Sequence, residues 1–174
     1  MTYEQLWRPL AQIYEEGEAK AMIRMVLGDR FGLSMADILC GRMEQLTAGE
    51  QQELTSIQQR LLAYEPVQYV LGEADFGGRL FLVNQNMLIP RPETYELCQW
   101  IVESDERERP LKVLDIGTGS GCIACTLAAE LPDAQVTAWD LSEGALRVAE
   151  ENARRLGVAV TFKKTDALAP PKDA

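Results

Sequence analysis

Histidine is missing from the 174-residue sequence, and its absence removes two kinds of chemistry at once. It excludes a histidine-based catalytic triad and a metal site built on imidazole ligands. Cysteine is scarce, because only Cys40, Cys98, Cys122 and Cys125 occur. A four-cysteine zinc site needs two close pairs, and these residues provide one. We therefore predict no metal site. The C-x-x-C pair at 122–125 is open to two interpretations: a redox pair, or small residues that pack a helix on a sheet.

Long apolar runs and an excess of basic residues are also missing. No stretch approaches the roughly 18 apolar residues of a transmembrane helix, and the N-terminus lacks the pattern of a signal peptide. Lys and Arg number 17 against 27 Asp and Glu, for a net charge of −10. This balance does not have the basic character of a nucleic-acid-binding protein. We predict a cytoplasmic protein with reduced thiols, no membrane association and no direct nucleic-acid partner.

The segment 111–121, L-K-V-L-D-I-G-T-G-S-G, is the most informative part of the chain. It predicts a short strand at 113–116 and a glycine-rich loop, and residues 122–131 have a helical pattern. Such a loop lets a ligand approach the backbone, and a helix start offers unpaired N–H groups. The alternative is a purely structural strand-to-helix turn. The dinucleotide fingerprint G-x-G-x-x-G would need glycine where Cys122 stands.

An acidic residue follows the next predicted strand, 135–139. Asp140 is about 20 residues past the loop, where a carboxylate can accept hydrogen bonds from both hydroxyls of a ribose. The alternative is an N-cap for the helix predicted to begin near Ser142. A third strand is predicted at 158–162, with Asp166 after it.

The N-terminal part is predicted to be all helical. Apolar spacing and capping patterns at Thr2, Ser34 and Thr47 indicate helices over 2–16, 18–31, a short segment from 34, and 47–62. We expect Pro9 to kink or end the first helix. This unit is either a stabilising cap or a docking surface for a partner. Two apolar runs around Gly77-Gly78 then predict a β-hairpin, a helix follows from Pro92, and 104–110 is a solvated link.

Four segments in order carry a resemblance to a known family: E-P-V-Q-Y-V-L-G, D-F-G-G-R-L-F-L-V, L-I-P-R-P-E-T-Y-E-L and V-L-D-I-G-T-G-S-G-C-I-A. Together they resemble the HemK/PrmC family, the protein-(glutamine-N5) methyltransferases of peptide chain release factors. The resemblance implies an α+β chain. It would consist of a helical substrate-recognition bundle at 1–72, a β-hairpin and linker at 73–92, and the first half of a Rossmann-like class I methyltransferase domain, with a truncated parallel sheet, at 93–174.

The activity implied by the resemblance is transfer of a methyl group from S-adenosyl-L-methionine. The acceptor is the glutamine of the Gly-Gly-Gln motif in class 1 release factors. The family positions that amide with an Asn-Pro-Pro-Tyr motif, which this sequence lacks. We therefore assign no catalytic residue and predict that the chain is truncated and inactive by itself.

The resemblance also implies the cofactor-binding residues, which are Gly117, Thr118, Gly119, Ser120, Gly121, Asp140, Asp166 and Ala167. Arg91, Pro92, Glu93 and Thr94 either line the substrate entrance or form a structural turn. Asp115 either caps the backbone of the loop or contacts the ammonium group of the cofactor.

Three other functions remain as alternatives. A nicotinamide-dependent oxidoreductase is disfavoured by the missing third glycine of the fingerprint. A nucleic-acid N6-adenine methyltransferase is disfavoured by the acidic charge. The third alternative is a protein without enzymatic activity whose helical unit serves only to dock a partner.

Overall fold

The computed structural model describes residues 1–104 and 111–169, and these fall into two compact units that divide between Leu71 and Gly72. The predicted link over 104–110 lies outside the described residues except for Ser104, and so does the proline-containing end after Ala169. Within the described ranges, no helix is both long and apolar enough to span a membrane.

The first unit is helical, as predicted. Its helices are α1 (Tyr3–Leu10), α2 (Glu16–Phe31), α3 (Met35–Leu39), α4 (Ala48–Leu62) and α5 (Val67–Leu71), with a 3-10 turn at Arg42–Gln45. Thr2, Ser34 and Thr47 each accept a hydrogen bond from the backbone N–H three residues later and form capping boxes. The core is built mainly from aliphatic side chains, among them Leu6, Leu10, Ile23, Val26, Leu27, Leu54 and Leu61.

Two details of the helix prediction were wrong. The first helix was predicted to run from 2 to 16 but ends at Leu10, and the chain turns before α2 begins at Glu16. Pro9 lies in its last turn, where it lacks an N–H and its ring crowds the preceding turn. The short helix α5 was not predicted, because five residues after a proline provide too little periodicity.

The second unit begins with the predicted hairpin, which is confirmed. Strands β1 (Glu73–Phe76) and β2 (Arg79–Leu82) pair antiparallel, and Phe76 lies opposite Arg79. Gly77 and Gly78 form the two-residue turn with φ of +62° and +79°, the left-handed region that glycine enters without a Cβ penalty. Phe76 and Phe81 are fully buried in the core of this unit.

The rest of this unit is a three-stranded parallel sheet with helices. The elements are α6 (Pro92–Glu103), β3 (Lys112–Ile116), α7 (Cys122–Glu130), β4 (Gln135–Asp140), α8 (Glu143–Leu156) and β5 (Val160–Lys164). The strand order is β3-β4-β5. The fold is therefore a partial Rossmann-like α/β arrangement, as predicted.

The third strand begins two residues later than predicted. Gly157 has a φ of +68°, and the N–H of Val158 donates to Ala153 O at 3.1 Å. This is the bond that closes a helix end of the Schellman type. Val158 therefore belongs to the cap of α8, and the strand starts at Val160.

One face of the sheet is covered and the other is open. Val113, Val136 and Val160 are in register and pack in the apolar clusters with residues of α7. On the opposite face Leu114 and Ile116 are 48% and 55% exposed. Among the described residues, α7 and α8 pack on the face of the three valines. The opposite face is open at Leu114 and Ile116 but not at Trp139, which is in register with Ile116 and buried.

Candidate functional site

The glycine loop continues the sheet beyond the end of β3. The N–H groups of Gly117 and Thr118 both donate to Trp139 O, at 2.9 and 3.0 Å. Gly117, Gly119 and Gly121 have φ of +76°, +57° and +78°. A side chain at any of these three positions would be strained, so the alternating glycines follow from the path of the backbone.

Gly121 also provides space for a close contact, and Gly119 lies within ordinary contact distance of another segment. A Cβ on Gly121 would lie 3.0 Å from Ala149 Cβ and 3.3 Å from Cys125 Sγ. The missing side chain thus lets α7 and α8 pack closely beside the loop. A Cβ on Gly119 would lie 3.6 Å from Met87 Cβ, so the segment after the hairpin reaches the loop.

Asp140 lies at the end of β4 and faces the loop. Its Oδ2 accepts from Gly119 N at 2.9 Å, and its Oδ1 accepts from Ser142 N at 2.8 Å. The N-cap of α8 is Ser142, whose hydroxyl accepts from Ala145 N at 3.2 Å. The capping alternative for Asp140 is therefore wrong. Each carboxylate oxygen retains a further lone pair for a hydroxyl donor.

Asp115 lies in β3, the strand that leads into the loop, and bonds to the loop through its carboxylate. The hydroxyl of Thr118 donates to its Oδ2 at 2.7 Å. Burial raises the pKa of the Asp115 carboxyl, and the negative charge of Asp140 adds to the rise, while hydrogen bonds from Thr118 and from the Ala124 backbone oppose it. The structure thus has Asp115 bonded to the loop, and its contact with the ammonium group of the cofactor stays a prediction.

Asp166 and Ala167 follow the end of β5, and both are exposed. The N–H of Thr165 donates to Asp140 O at 3.1 Å, which brings the residue before Asp166 next to Asp140. Asp166 Oδ1 accepts from Leu168 N at 2.9 Å within its own turn. The two acids therefore follow adjacent parallel strands at the same edge of the sheet.

The predicted entrance residues lie at the start of α6. Arg91 is the N-cap with extended backbone, Pro92 is in the first turn, and the N–H of Thr94 donates to Arg91 O at 3.0 Å. Arg91, Pro92 and Glu93 are exposed. Their contact with a substrate stays a prediction.

The cysteine pair of the loop's helix is buried. Burial raises the pKa of the Cys122 thiol, and it raises that of Cys125 to about 12. Both thiols pack with apolar side chains of the core. Burial thus disfavours the thiolate at both positions, which favours the packing interpretation, since a redox pair requires an accessible thiolate. Among the described residues there is no cluster suited to a metal ion.

Asn152 on α8 was missed by sequence reasoning. It is 1% exposed and bonds to the loop through Ser120 O at 2.9 Å. The sequence feature that could have identified Asn152 is its position on the inward face of α8, three residues after Ala149 and next to Ala153. A polar residue at such a position must find hydrogen-bond partners in the core.

The parallel strands, the glycine loop and the helix after it define a partial Rossmann-like fold of the class I methyltransferase type. Comparison with known families agrees. Residues 113–174 match a family described as a methyltransferase domain, and residues 8–72 match the PrmC N-terminal domain.

Curated relatives cover both units. A release factor glutamine methyltransferase of Bacteroides thetaiotaomicron is 46% identical over 157 residues, which are 90% of this chain and 56% of the relative. One of Streptococcus pneumoniae is 40% identical over 89% of this chain and 56% of its own length. The chain thus spans about half the length of these relatives. Among solved structures, a SAM-dependent methyltransferase of Agrobacterium tumefaciens is 26% identical over 55% of this chain and 32% of its own, with a TM-score of 0.46.

The match of residues 8–72 and the relatives that align with about 90% of the chain support the HemK/PrmC family, whose N-terminal portion this chain resembles.

Proposed function

We propose that this chain is the substrate-recognition and cofactor-binding portion of an S-adenosyl-L-methionine-dependent methyltransferase. The acceptor is the side-chain nitrogen of the glutamine in the Gly-Gly-Gln motif of class 1 peptide chain release factors. The names of the curated relatives and the match of residues 8–72 to the PrmC N-terminal domain support this proposal. A substrate that acts in translation termination also favours a cytoplasmic location.

The observation that carries the proposal is the bond between Asp140 and the loop. Its carboxylate holds Gly119 N at 2.9 Å, so the acid and the glycine-rich backbone form one rigid surface. A ribose placed there can donate its two hydroxyls to the remaining lone pairs of the carboxylate. The residues that would hold the cofactor are those of the loop with the two strand-tip acids: Gly117, Thr118, Gly119, Ser120, Gly121, Asp140, Asp166 and Ala167.

When bound, S-adenosyl-L-methionine supplies an electrophilic methyl group on a sulfonium. The glutamine amide is a poor nucleophile because its lone pair is delocalised into the carbonyl. The protein's task is therefore mainly to position the two reactants. In this division of roles the loop and Asp140 orient the cofactor, and the helical unit 1–72, with Arg91–Thr94 at the entrance, recognises the release factor.

The cofactor site can be tested by titrating the 174-residue chain calorimetrically with S-adenosylhomocysteine and, separately, with NAD. We expect binding of the first ligand only. Asp140→Ala should raise the Kd for S-adenosylhomocysteine by about 10- to 100-fold, the loss of one or two hydrogen bonds to a charged group. Asp133→Ala removes the same charge from an exposed position before β4 and should leave the Kd unchanged. Equal Kd values for the two variants would contradict the proposed site.

The methyl-transfer step has its own experiment. The 174-residue chain is incubated with a release factor and methyl-labelled S-adenosyl-L-methionine. We expect no label on the release factor, because the sequence contains no Asn-Pro-Pro-Tyr motif to hold the amide. Labelled glutamine in the release factor would show that this chain transfers the methyl group without that motif.

A further inference from the structure

Asn152 connects two backbone segments that are far apart in sequence. Its Oδ1 accepts from Leu82 N at 2.7 Å, and its Nδ2 donates to Leu82 O at 3.0 Å and to Ser120 O at 2.9 Å. Both amide hydrogens of the side chain are thus used, together with one lone pair of its oxygen. One buried side chain on α8 therefore bonds to strand β2 and to the glycine loop.

On the hairpin side, Asn152 takes the place of a neighbouring strand. Leu82 is the last residue of β2, and both its N–H and its C=O bond to the same amide. An adjacent strand would bond these two groups in the same way. The side chain thereby closes an edge that would otherwise have unpaired backbone groups.

On the loop side, Asn152 fixes the peptide group between Ser120 and Gly121. The oxygen of this peptide accepts from Asn152, and its N–H donates to Thr118 O at 2.8 Å. Gly121 also lies against Ala149, one helical turn before Asn152. Helix α8 therefore contacts this part of the loop at two residues, Ala149 and Asn152. The orientation of the 120–121 peptide group sets the direction in which the loop enters α7.

We propose that Asn152 is a positioning residue that holds the 120–121 peptide in the orientation required for cofactor binding and couples the occupied loop to the edge of the hairpin. This inference rests on the function proposed above. Asn152 acts through the backbone of the loop and is assigned no contact with the cofactor.

Leu82, the hairpin residue bonded to Asn152, is followed in the chain by a segment that lies near the glycine loop. β2 ends at Leu82, and Met87 lies near Gly119, with 3.6 Å between Met87 Cβ and an ideal Cβ on the glycine. Asn86 is close to Gly144, whose added Cβ would lie 2.8 Å from Asn86 Cγ. A change at the loop can therefore be transmitted to the segment before α6 through Asn152 and Leu82 as well as through these direct contacts.

The first test uses Asn152→Leu, which keeps a similar side-chain volume and removes all three hydrogen bonds. Its control is Leu146→Ala on the same helix, which removes buried apolar atoms and no side-chain hydrogen bond. Each variant is titrated with S-adenosylhomocysteine well below its own unfolding midpoint. We expect Asn152→Leu to raise the Kd by about tenfold or more and Leu146→Ala to raise it by less than about twofold. A similar Kd for both variants would overturn the proposal.

The second test needs only the unaltered chain and decides the question if Asn152→Leu fails to fold. Amide hydrogen exchange is measured with and without S-adenosylhomocysteine. We expect the ligand to slow the exchange of Leu82 N–H more than that of Val136 N–H in β4, which reports general stabilisation of the same unit. Equal slowing at both amides would contradict the coupling. Failure of the unaltered chain to bind the ligand would instead reject the proposed function itself.

Discussion

Two carboxylates at the ends of adjacent strands hold the glycine loop by different bonds. Asp140 accepts from the backbone of Gly119, and Asp115 accepts from the hydroxyl of Thr118. The ionised form of Asp115 is disfavoured, because burial raises the pKa of its carboxyl and the charge of Asp140 raises it further. The two neighbouring carboxylates therefore carry an electrostatic cost in the folded protein.

This cost predicts a pH dependence of stability. Since the folded pKa of Asp115 is raised, folding binds a proton between the unfolded value of about 3.9 and the folded value. Its contribution to the unfolding free energy is then most favourable below that range and is lost as the pH rises through the folded pKa. Asp115→Asn still accepts from Thr118 and does not ionise. The unfolding free energy of Asp115→Asn should therefore rise relative to that of the wild type as the pH increases above about 4, the unfolded pKa.

Urea denaturation at several pH values measures this difference. Asp133→Asn serves as the control, because it removes an exposed carboxylate. A stability difference between Asp115→Asn and wild type that does not change with pH would show that the ionisation of Asp115 has no cost in the folded protein.

The hairpin turn gives a second prediction for single residues. Gly77 and Gly78 both have positive φ, but an ideal Cβ on Gly77 would overlap the ring of Tyr95, whereas one on Gly78 would meet open space. Gly77→Ala should therefore lower the unfolding free energy by about 2–4 kcal/mol, the sum of backbone strain and overpacking. Gly78→Ala should cost only about 1 kcal/mol, for strain alone. Urea denaturation of both variants checks the order, and an equal loss would show that the Tyr95 ring moves aside without cost.

At the scale of elements, helix ends decide where the chain changes direction. Gly32 and Gly157 end α2 and α8 in the left-handed region, as their sequence positions suggest. Helix α4 ends with a similar backbone geometry but without glycine. Tyr64 has a φ of +63°, and Glu65 N donates to Arg60 O at 3.1 Å. This is a Schellman-type end with a bulky residue at the position that glycine normally occupies.

Tyr64→Gly should therefore stabilise the first unit. It removes the strain of a left-handed tyrosine, about 1–2 kcal/mol, against the loss of a partly exposed ring contact with Tyr14, about 0.5–1 kcal/mol. The rings of Tyr14 and Tyr64 are 5.7 Å apart, and Tyr64 is 65% exposed. We expect a net gain of about 0.5–1 kcal/mol by thermal denaturation, near the middle of the difference between these two terms. Ala63→Gly, at the neighbouring residue with φ of −85°, should instead destabilise. A loss of stability in Tyr64→Gly would mean that the ring contact outweighs the strain.

At the scale of the whole molecule, the open sheet face is the main departure from a closed α/β fold. Leu114 and Ile116 lie on this face, and β3 is an edge strand of the described sheet. Exposed apolar side chains beside an unpaired edge favour association between copies of a chain.

Replacing both residues by threonine should reduce self-association. Threonine retains a high strand propensity, so the unfolding free energy should change by less than about 1 kcal/mol. Val113→Thr, on the covered face, should instead cost about 1–2 kcal/mol and leave association unchanged. Sedimentation equilibrium together with urea denaturation separates the two effects. Association that persists in the double variant would mean that another surface mediates it.

Much of this architecture was determined by the sequence, because it depends on local rules. The capping boxes, the hairpin around Gly77-Gly78 and the strand–loop–helix unit at 113–130 each follow from a few adjacent residues. The family resemblance extended these to a partial Rossmann-like fold. Element ends were less exact: α1 stops at Leu10, which agrees with the expected effect of Pro9 but not with the range 2–16, and β5 starts only after the cap of α8.

Only the tertiary structure decided how the loop is held. From sequence, Asp140 could have been a cap or a ligand for hydroxyls, and its bond to Gly119, 21 residues away, depends on the pairing of two parallel strands. Asn152 bonds Leu82 and Ser120, at 70 and 32 residues' separation. Spacing along the chain cannot encode such contacts, because they form only when helix α8 packs beside the loop and the hairpin. The sequence by itself thus determined which residues could form a cofactor loop, and the packing of α8 and β4 determined which groups hold that loop in place.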